Sequence, residues 1–489
     1  MKTRDYDHLG LTPFTIKIKG VNWLPDLFAI LCERIEWIFP QLADSDIAGL
    51  TEVNYAEVEL VLKGKGEIDE RLWDNLWWRT GNQKKRPATK LPIHPCDAYN
   101  FLRTVDYAFN GFNRKSSDPS SDYFPFWKEL NDPNGEKNGS SLTTQPLKYG
   151  WLLPCESRQP GRGQFLGERF FHLRWIRPTP GLTVSYHCLA ERDDLDSWRH
   201  ENADFKVGFL PCIERQDVRF ESLSQRGKPA YDTVHRDEEK IAERICRVID
   251  ANSTRIDLLV APELACSPAI WEQVQKHLRT RPLLPRAANR LKVIMLGTAA
   301  HEQRNRALVV DYRGNELFSQ DKMHRYEMSA NEMKRYQISD LDRQLGGHEE
   351  NAFIHPRCLK LCDSEVLGRF AVLICEDFAH LEPAAVTAIK LGVQLVICPV
   401  MDGDFQPYRW VASWADWYAR VYNVQTISVN SLVMPPHHIP ENDDFGIGLI
   451  GQIVDENDIP RVEILRTDPD NVENPVISSV KLVKNLMIG

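Results

Sequence analysis

GRFAVLICEDFAHLEPAAVTAIKLGVQLVICPV, residues 368–400, reads as strand, helix, strand. RFAVLIC (369–375) is a continuous apolar run, EPAAVTAIKLG (382–392) has helical character and stops at Gly392, and VQLVICPV (393–400) is apolar again. Strands that are apolar at nearly every position, with a helix between them, belong to a sheet covered by its own crossovers. The same rhythm extends upstream. FKVGFLPCI (205–213) reads as a buried strand, and HRDEEKIAERICRVIDA (235–251) as a helix with Ile241, Ile245 and Val248 on one face. IDLLVAP (256–262), LKVIMLGTAA (291–300) and NRALVVDYRG (305–314) read as further strands, the last turning at Arg313-Gly314. The fold class is α/β.

Residues 1–204 have a different texture. WLPDLFAILCERIEWIF (23–39) carries apolar residues at helical spacing, while TEVNYAEVELVLKG (51–64) alternates like a strand. The segment 115–146, rich in Ser, Asp, Asn, Gly and Pro, reads as loop, and FFHLRWIRP and GLTVSYHCL as two strands. The acidic run ERDDLDSWRHENAD (191–204) marks the expected boundary between an α+β amino-terminal domain, 1–204, and the α/β domain, 205–489. At 489 residues the chain is long enough for two or three domains.

Composition narrows the function. With 60 basic against 69 acidic side chains, the net charge of −9 gives no bulk attraction for nucleic acid or an anionic membrane. No apolar run is long enough for a transmembrane helix, and MKTRDYDHLG is too charged for a signal peptide. Eleven cysteines without regular short spacings point to a reducing, cytoplasmic compartment, so a reactive thiol has to be recognised from its surroundings.

Three reactive side chains stand directly after buried strands: Glu263 after LLVAP, Lys322 after ELFSQD and Cys375 at the end of AVLI. Ligands of α/β folds bind at the carboxyl ends of strands. A carboxylate, an ammonium and a thiol brought together there suffice for nucleophilic acyl transfer. The carboxylate takes the thiol proton, sulfur attacks an electrophilic carbon, and the ammonium stabilises the developing anion. Each residue singly has an ordinary structural reading, as a loop carboxylate, a surface lysine or a core cysteine.

The segments VAPELA, NRALVVDYRGNELFSQDKMHRY and GRFAVLICEDFAHLEPAAVTAIKLGVQLVICPV resemble, in that order, motifs of the nitrilase or carbon–nitrogen hydrolase superfamily. WYARVYNVQTISVNS (417–431) resembles the helix and strand that follow its cysteine, and FGIGLIGQIVDEND its glycine-bearing turn before a final hairpin. The resemblance implies a four-layer α-β-β-α sandwich. It also implies a triad of Glu263 as general base, Lys322 as oxyanion-stabilising cation and Cys375 as nucleophile, with the backbone amide of Glu376 as second oxyanion donor. The family often has a further glutamate after the lysine, for which Glu332 is preferred here over Glu327. The loop 401–410 is expected to contact substrate. The implied activity is hydrolysis of a small-molecule amide, or less commonly a nitrile, with no cofactor and no metal. N-acyl transfer, or a switched effector in a regulatory or defence assembly, are the alternatives. Family members commonly pair, and Ala384, Ala385, Ala388 and Ile389 offer a flat apolar surface for a homodimer.

Several weaker signals carry bland readings. The polar stretch 331–367 does not align with the family and reads as a loop or insertion. Its His355, Cys358 and Cys362 lack the paired spacing of a zinc site. Gly446-Ile-Gly448-Leu-Ile-Gly451 matches a dinucleotide fingerprint but is followed by strand–turn–strand rather than a helix. Trp410, Trp414, Trp417 and Val421 read as a helix face packed on a sheet. Arg158, Arg162, Arg169, Arg174 and Arg177 lie among aromatic residues, and alternation places them on a solvated strand face rather than on nucleic acid.

Overall fold

The computed structural model describes residues 14–17, 24–36, 90–116, 151–154, 170, 173–177, 179–188, 205–225, 227–282, 289–301, 303–364, 367–434, 444–453, 460–468 and 473–480. The chain divides into two compact units, Met1–Pro180 with Lys390–Gly392, and Gly181–Ile389 with Val393–Gly489. The division falls ahead of the acidic run 191–204, because Leu182–Cys188 forms a strand of the second unit's largest sheet.

In the first unit, β1 (Phe14–Lys17) pairs antiparallel with β2 (Lys90–Ile93). Helix α1 (Leu24–Ile35) buries Leu24, Leu27, Phe28, Leu31 and Ile35, spaced three and four apart as an amphipathic face requires. It packs on α2 (Pro95–Ser116), which buries Phe101, Leu102 and Val105. Phe170 stands edge-on to Phe28, with centroids 5.1 Å apart. β3 (Trp151–Pro154) pairs with β4 (Leu173–Ile176). The solvated arginine face expected here is absent at Arg174. All four residues of β4 are buried, and the Arg174 guanidinium donates to the Phe170 carbonyl, while Arg177 pairs with Glu36. The strand expected over 51–64, the loop 117–146 and Arg158, Arg162 and Arg169 lie outside the described residues.

The second unit opens with β5 (Leu182–Cys188) and β6 (Phe205–Phe209). A hairpin, β7 (Val218–Gln225) and β8 (Lys228–His235), follows, then α3 (Glu238–Asn252), β9 (Leu258–Val260) and α4 (Pro268–Thr280). Asp237 caps α3, accepting from the Lys240 amide, and Ser267 caps α4, accepting from the Ile270 amide. Ile241, Ile245 and Val248 are all buried, as their spacing predicts. Next come β10 (Val293–His301), β11 (Arg304–Asp311) and β12 (Glu316–Asp321). These strands make a six-stranded sheet in the order β12-β11-β10-β9-β6, completed by β21 (Val476–Val480). Its centre, β6-β9-β10, is parallel, joined by α3 and α4 as crossovers.

The stretch 331–367 is not the loop expected from its polarity. It holds most of α5 (Ala330–Arg335), β14 (His348–Glu350) and β15 (Arg357–Ser364). With β13 (Glu327–Met328), β14 joins the hairpin in a four-stranded sheet, β13-β14-β8-β7. β15 begins a seven-stranded sheet with β16 (Gly368–Val372), β17 (Leu395–Val400), β18 (Gln425–Asn430), β19 (Phe445–Ile453) and β20 (Pro460–Thr467), in the order β20-β19-β18-β17-β16-β15-β5. Its centre, β16-β17-β18, is again parallel. The crossover from β16 to β17 is broken: α6 (Glu376–Ala379), a π turn over Leu381–Ala385 kinked at Glu382, and α7 (Val386–Lys390). Ala384, Ala385 and Ala388 are fully buried within the chain, so they do not form the exposed pairing surface expected of them. The crossover from β17 to β18 is α8 (Trp410–Tyr422).

On α8 the tryptophan stripe is not the packed face. The buried residues are Val411, Ala412, Ala415, Tyr418 and Ala419, while Val421 is 52% exposed. Small residues win that face because helix and sheet come close: a Cβ on Gly451 of β19 would lie 3.0 Å from the Ala415 Cβ. Gly446 and Gly448 sit inside β19, not in a turn, and a Cβ on Gly448 would stand 2.9 Å from the Phe209 ring. The fingerprint-like glycines thus serve close packing. Phe318 of β12 meets Phe370 of β16 at 5.7 Å between centroids, and fully buried Gln320 donates to the Cys358 carbonyl and accepts from the Lys360 amide. These contacts fix the edge of the six-stranded sheet against β15. Among the described residues, no helix is long and apolar enough to cross a membrane.

Candidate active site

The parallel centres aim their carboxyl ends at one place. β9 runs out through Ala261 and Pro262 to Glu263, and β16 through Leu373 and Ile374 to Cys375. Lys322 follows β12, and Glu350 closes β14. Three sheets therefore each deliver an ionisable side chain, and all four residues are at most 6% exposed.

The Lys322 ammonium donates to Glu263 Oε1 at 2.6 Å and to Glu350 Oε2 at 2.7 Å. Asn305, near the start of β11, donates from Nδ2 to Glu263 Oε1 and Glu350 Oε1, each at 2.7 Å. The Met401 amide donates to Glu263 Oε2 at 3.2 Å, and Glu263 and Lys322 both act electrostatically on the Cys375 thiol. Glu263 and Lys322 are thus in direct contact, and Cys375 lies within electrostatic reach of both.

Both turns that present these groups are strained. Leu264, just after Glu263, has φ 57°, and Cys375 itself has φ 48° with ψ −106°, values that non-glycine residues seldom adopt. Surrounding hydrogen bonds hold them there. The Cys375 amide donates to the Pro399 carbonyl at 3.0 Å, the Phe378 amide to the Cys375 carbonyl at 2.9 Å, and the Ala265 and Cys266 amides both donate to the Gly297 carbonyl at 3.0 Å. Gly297 is required: a Cβ there would lie 2.7 Å from the Glu263 Cα. Cys375 caps α6, which leaves the Glu376 amide in the first turn, where helices leave amides without internal partners.

Asp377, fully buried, ties the lysine segment to the cysteine turn. Its carboxylate accepts from the Met323 amide at 3.0 and 3.1 Å and bonds His324 Nδ1 at 2.9 Å. The loop 401–410 braces the other side. Asp402 accepts from both Arg409 at 2.9 Å and Trp410 Nε1 at 2.7 Å, and from the Tyr336 hydroxyl at 3.0 Å.

Burial pushes the Glu263 carboxyl above its ordinary range, against the pull of the Lys322 ammonium. Burial alone would lower the Lys322 ammonium, but Glu263 and Glu350 more than reverse this and hold it charged. Burial and the Glu263 carboxylate raise the Cys375 thiol well above its usual value, with Lys322 opposing. At rest the raised sulfur is a neutral thiol rather than a standing thiolate.

Besides Glu263, the glutamate in contact with Lys322 is Glu350. Glu332 instead forms a capping box with Ser329 at the start of α5 and accepts from the Tyr326 hydroxyl at 2.7 Å. Ser329-Ala-Asn-Glu332 is a capping-box spelling, so the local role of Glu332 was legible in the sequence. Glu327 is exposed on β13. Glu350 and Asn305 were missed. Nothing in the local sequence distinguishes them from neighbouring strand residues, and only pairing of β14 with β8 and of β11 with β12 carries them to the lysine. Cys358 and Cys362 lie on β15, and no cluster of metal-ligating side chains occurs among the described residues.

No protein-family model and no curated protein matches the chain. Among solved structures, the glutamine-dependent NAD+ synthetase of Acinetobacter baumannii is similar over 56% of this chain, at 14% identity and a TM-score of 0.33. This chain spans 45% of the length of that synthetase. An amidase from Nesterenkonia sp. AN1 is similar over 57% of this chain and 90% of its own, at 12% identity and a TM-score of 0.31. Nit3 of Saccharomyces cerevisiae, a member of branch 10 of the nitrilase superfamily, is similar over 57% and 90%, at 17% identity and a TM-score of 0.31.

Proposed function

We propose that the chain is a cysteine-dependent hydrolase of non-peptide carbon–nitrogen bonds, acting on small amides through a thioester. The observation that carries this reading is the buried Glu263 carboxylate held 2.6 Å from the Lys322 ammonium, with the buried Cys375 thiol within electrostatic reach of both. Sulfur attacks the amide carbon as the thiol proton passes to Glu263. An ammonium has three hydrogens, and Glu263 and Glu350 engage two, so the third is available for the oxyanion, with the Glu376 amide as the proposed second donor. Glu263 returns the proton to the departing nitrogen, the C–N bond breaks, and ammonia or an amine leaves. Water then attacks the thioester, giving up a proton to Glu263, and the thiol is restored as the carboxylic acid forms. In this reading the six- and seven-stranded sheets and their crossover helices make a four-layer α-β-β-α sandwich, and the amino-terminal region serves as a sensor, a partner-binding module or a substrate gate.

The test is to incubate the protein with a panel of small aliphatic and aromatic amides and measure ammonia release, with C375A and E263Q alongside. Each substitution is expected to lower turnover by about 10⁴-fold or more, as loss of a nucleophile or its base does. Intact-mass spectrometry during turnover should show an acyl adduct on the wild type that C375A lacks. Turnover that survives C375A would overturn the assignment.

A further inference from the structure

Asn305 is 3% exposed, and both hydrogens of its amide are committed to carboxylates, one to Glu263 Oε1 and one to Glu350 Oε1. Its backbone carbonyl accepts from the Lys322 amide at 2.8 Å. The residue thus grips the lysine through its backbone and both of the lysine's carboxylates through its side chain. Its other amide atom, Oδ1, is buried with no partner among the described residues. Leaving a buried acceptor unsatisfied is unfavourable, so folding alone does not favour asparagine at this position. Two carboxylates that share one lysine repel each other, and Glu263 is useful as a base only while it points at sulfur without a proton. A neutral double donor between them satisfies both without adding charge, which neither aspartate nor an apolar residue can do.

We propose that Asn305 is a positioning residue for proton transfer in this site: its two donors hold Glu263 and Glu350 apart about the Lys322 ammonium and keep Glu263 ready to accept the Cys375 proton. The inference rests on the hydrolase reading above. The groups facing Glu263 are Lys322 after β12, Glu350 on β14 and Cys375 after β16, with Tyr231 of β8 and Cys398 of β17 within electrostatic reach. Removing the Asn305 donors leaves Glu263 holding its proton to higher pH, because hydrogen bonds to the charged form are lost.

The experiment follows alkylation of the full chain by iodoacetamide between pH 5 and 9, with Cys375 identified by peptide mass spectrometry and C375A as control. Alkylation joins sulfur to the acetamide carbon, expels iodide and passes the thiol proton to Glu263. The pH midpoint of Cys375 alkylation is expected to move up by about one unit in N305L. In the isosteric N305D, which adds an anion, it should move at least as far. N305D also serves if N305L does not fold, and N305Q, which retains both donors, should move the midpoint less than either. Midpoints in N305L and N305D that coincide with wild type would overturn the inference while leaving the hydrolase reading intact. A wild-type Cys375 that stays unmodified would overturn that reading, and this inference with it.

Discussion

The glutamate turn after β9 and the cysteine turn after β16 solve one problem in two ways. Each must swing a side chain out of a buried parallel strand into a small shared space. At the cysteine turn the strain sits on the functional residue itself, Cys375, with φ 48°. At the glutamate turn it sits one residue later, on Leu264 with φ 57°, and Gly297 on the neighbouring strand makes the room. In the proposed reaction, strain on the cysteine itself suits a nucleophile, whose atom must stand clear of its strand. Displaced strain suits a base, whose carboxylate is held by bonds from Lys322, Asn305 and Met401.

The two turns are joined through Lys322, and among changes that leave the proposed nucleophile and base in place the largest expected effect comes from removing its other partner, Glu350. E350Q should lower turnover by about a hundredfold and destabilise the chain by about 3 kcal/mol, since it breaks a buried ion pair from one side. E332Q, which alters only the cap and Tyr326, should cost about 1 kcal/mol or less and leave turnover within a few-fold of wild type. Urea unfolding and ammonia release measure both. Equal effects of the two substitutions would erase the distinction between Glu350 and Glu332.

G297A tests the glutamate turn alone. Its Cβ has nowhere to go, so we expect about 1–3 kcal/mol of destabilisation and turnover down by about a hundredfold from displaced Glu263. Alkylation of Cys375 should survive better than turnover, because the cysteine turn is untouched.

The pH dependence follows from the raised Glu263. The proposed mechanism requires its deprotonated form, so activity should be lost as pH falls through a pKa above the ordinary 4.5 of glutamate. An acid limb at or below that value would mean another group is the base. The smallest expected effect is on stability. C375G relieves positive φ at the loss of only a small buried side chain, and should raise stability by about 1 kcal/mol. L264G relieves similar strain but empties the buried Leu264 site, so it should destabilise by about 2 kcal/mol. Thermal unfolding separates the signs.

Much of the second unit was legible because its strands are apolar runs and its helices are capped. The Asp237 and Ser267 caps and the Ile241, Ile245, Val248 stripe are local features that local structure obeyed. Readings that depended on which face meets what fared worse. The tryptophans of α8 and the arginine of β4 were assigned faces by hydropathy, but close approach at Gly451 and burial of the Arg174 guanidinium decided otherwise.

The sequence by itself determined that Glu263, Lys322 and Cys375 each end a buried strand, since strand ends and reactive side chains are both written locally. It also determined the Glu332 cap. Tertiary structure alone decided that Glu350 and Asn305 complete the site. They are 28 residues after and 17 before Lys322 respectively, taking the differences of their sequence numbers. What unites them with it is sheet pairing, and pairing between distant segments is a property of the folded chain that no local pattern encodes.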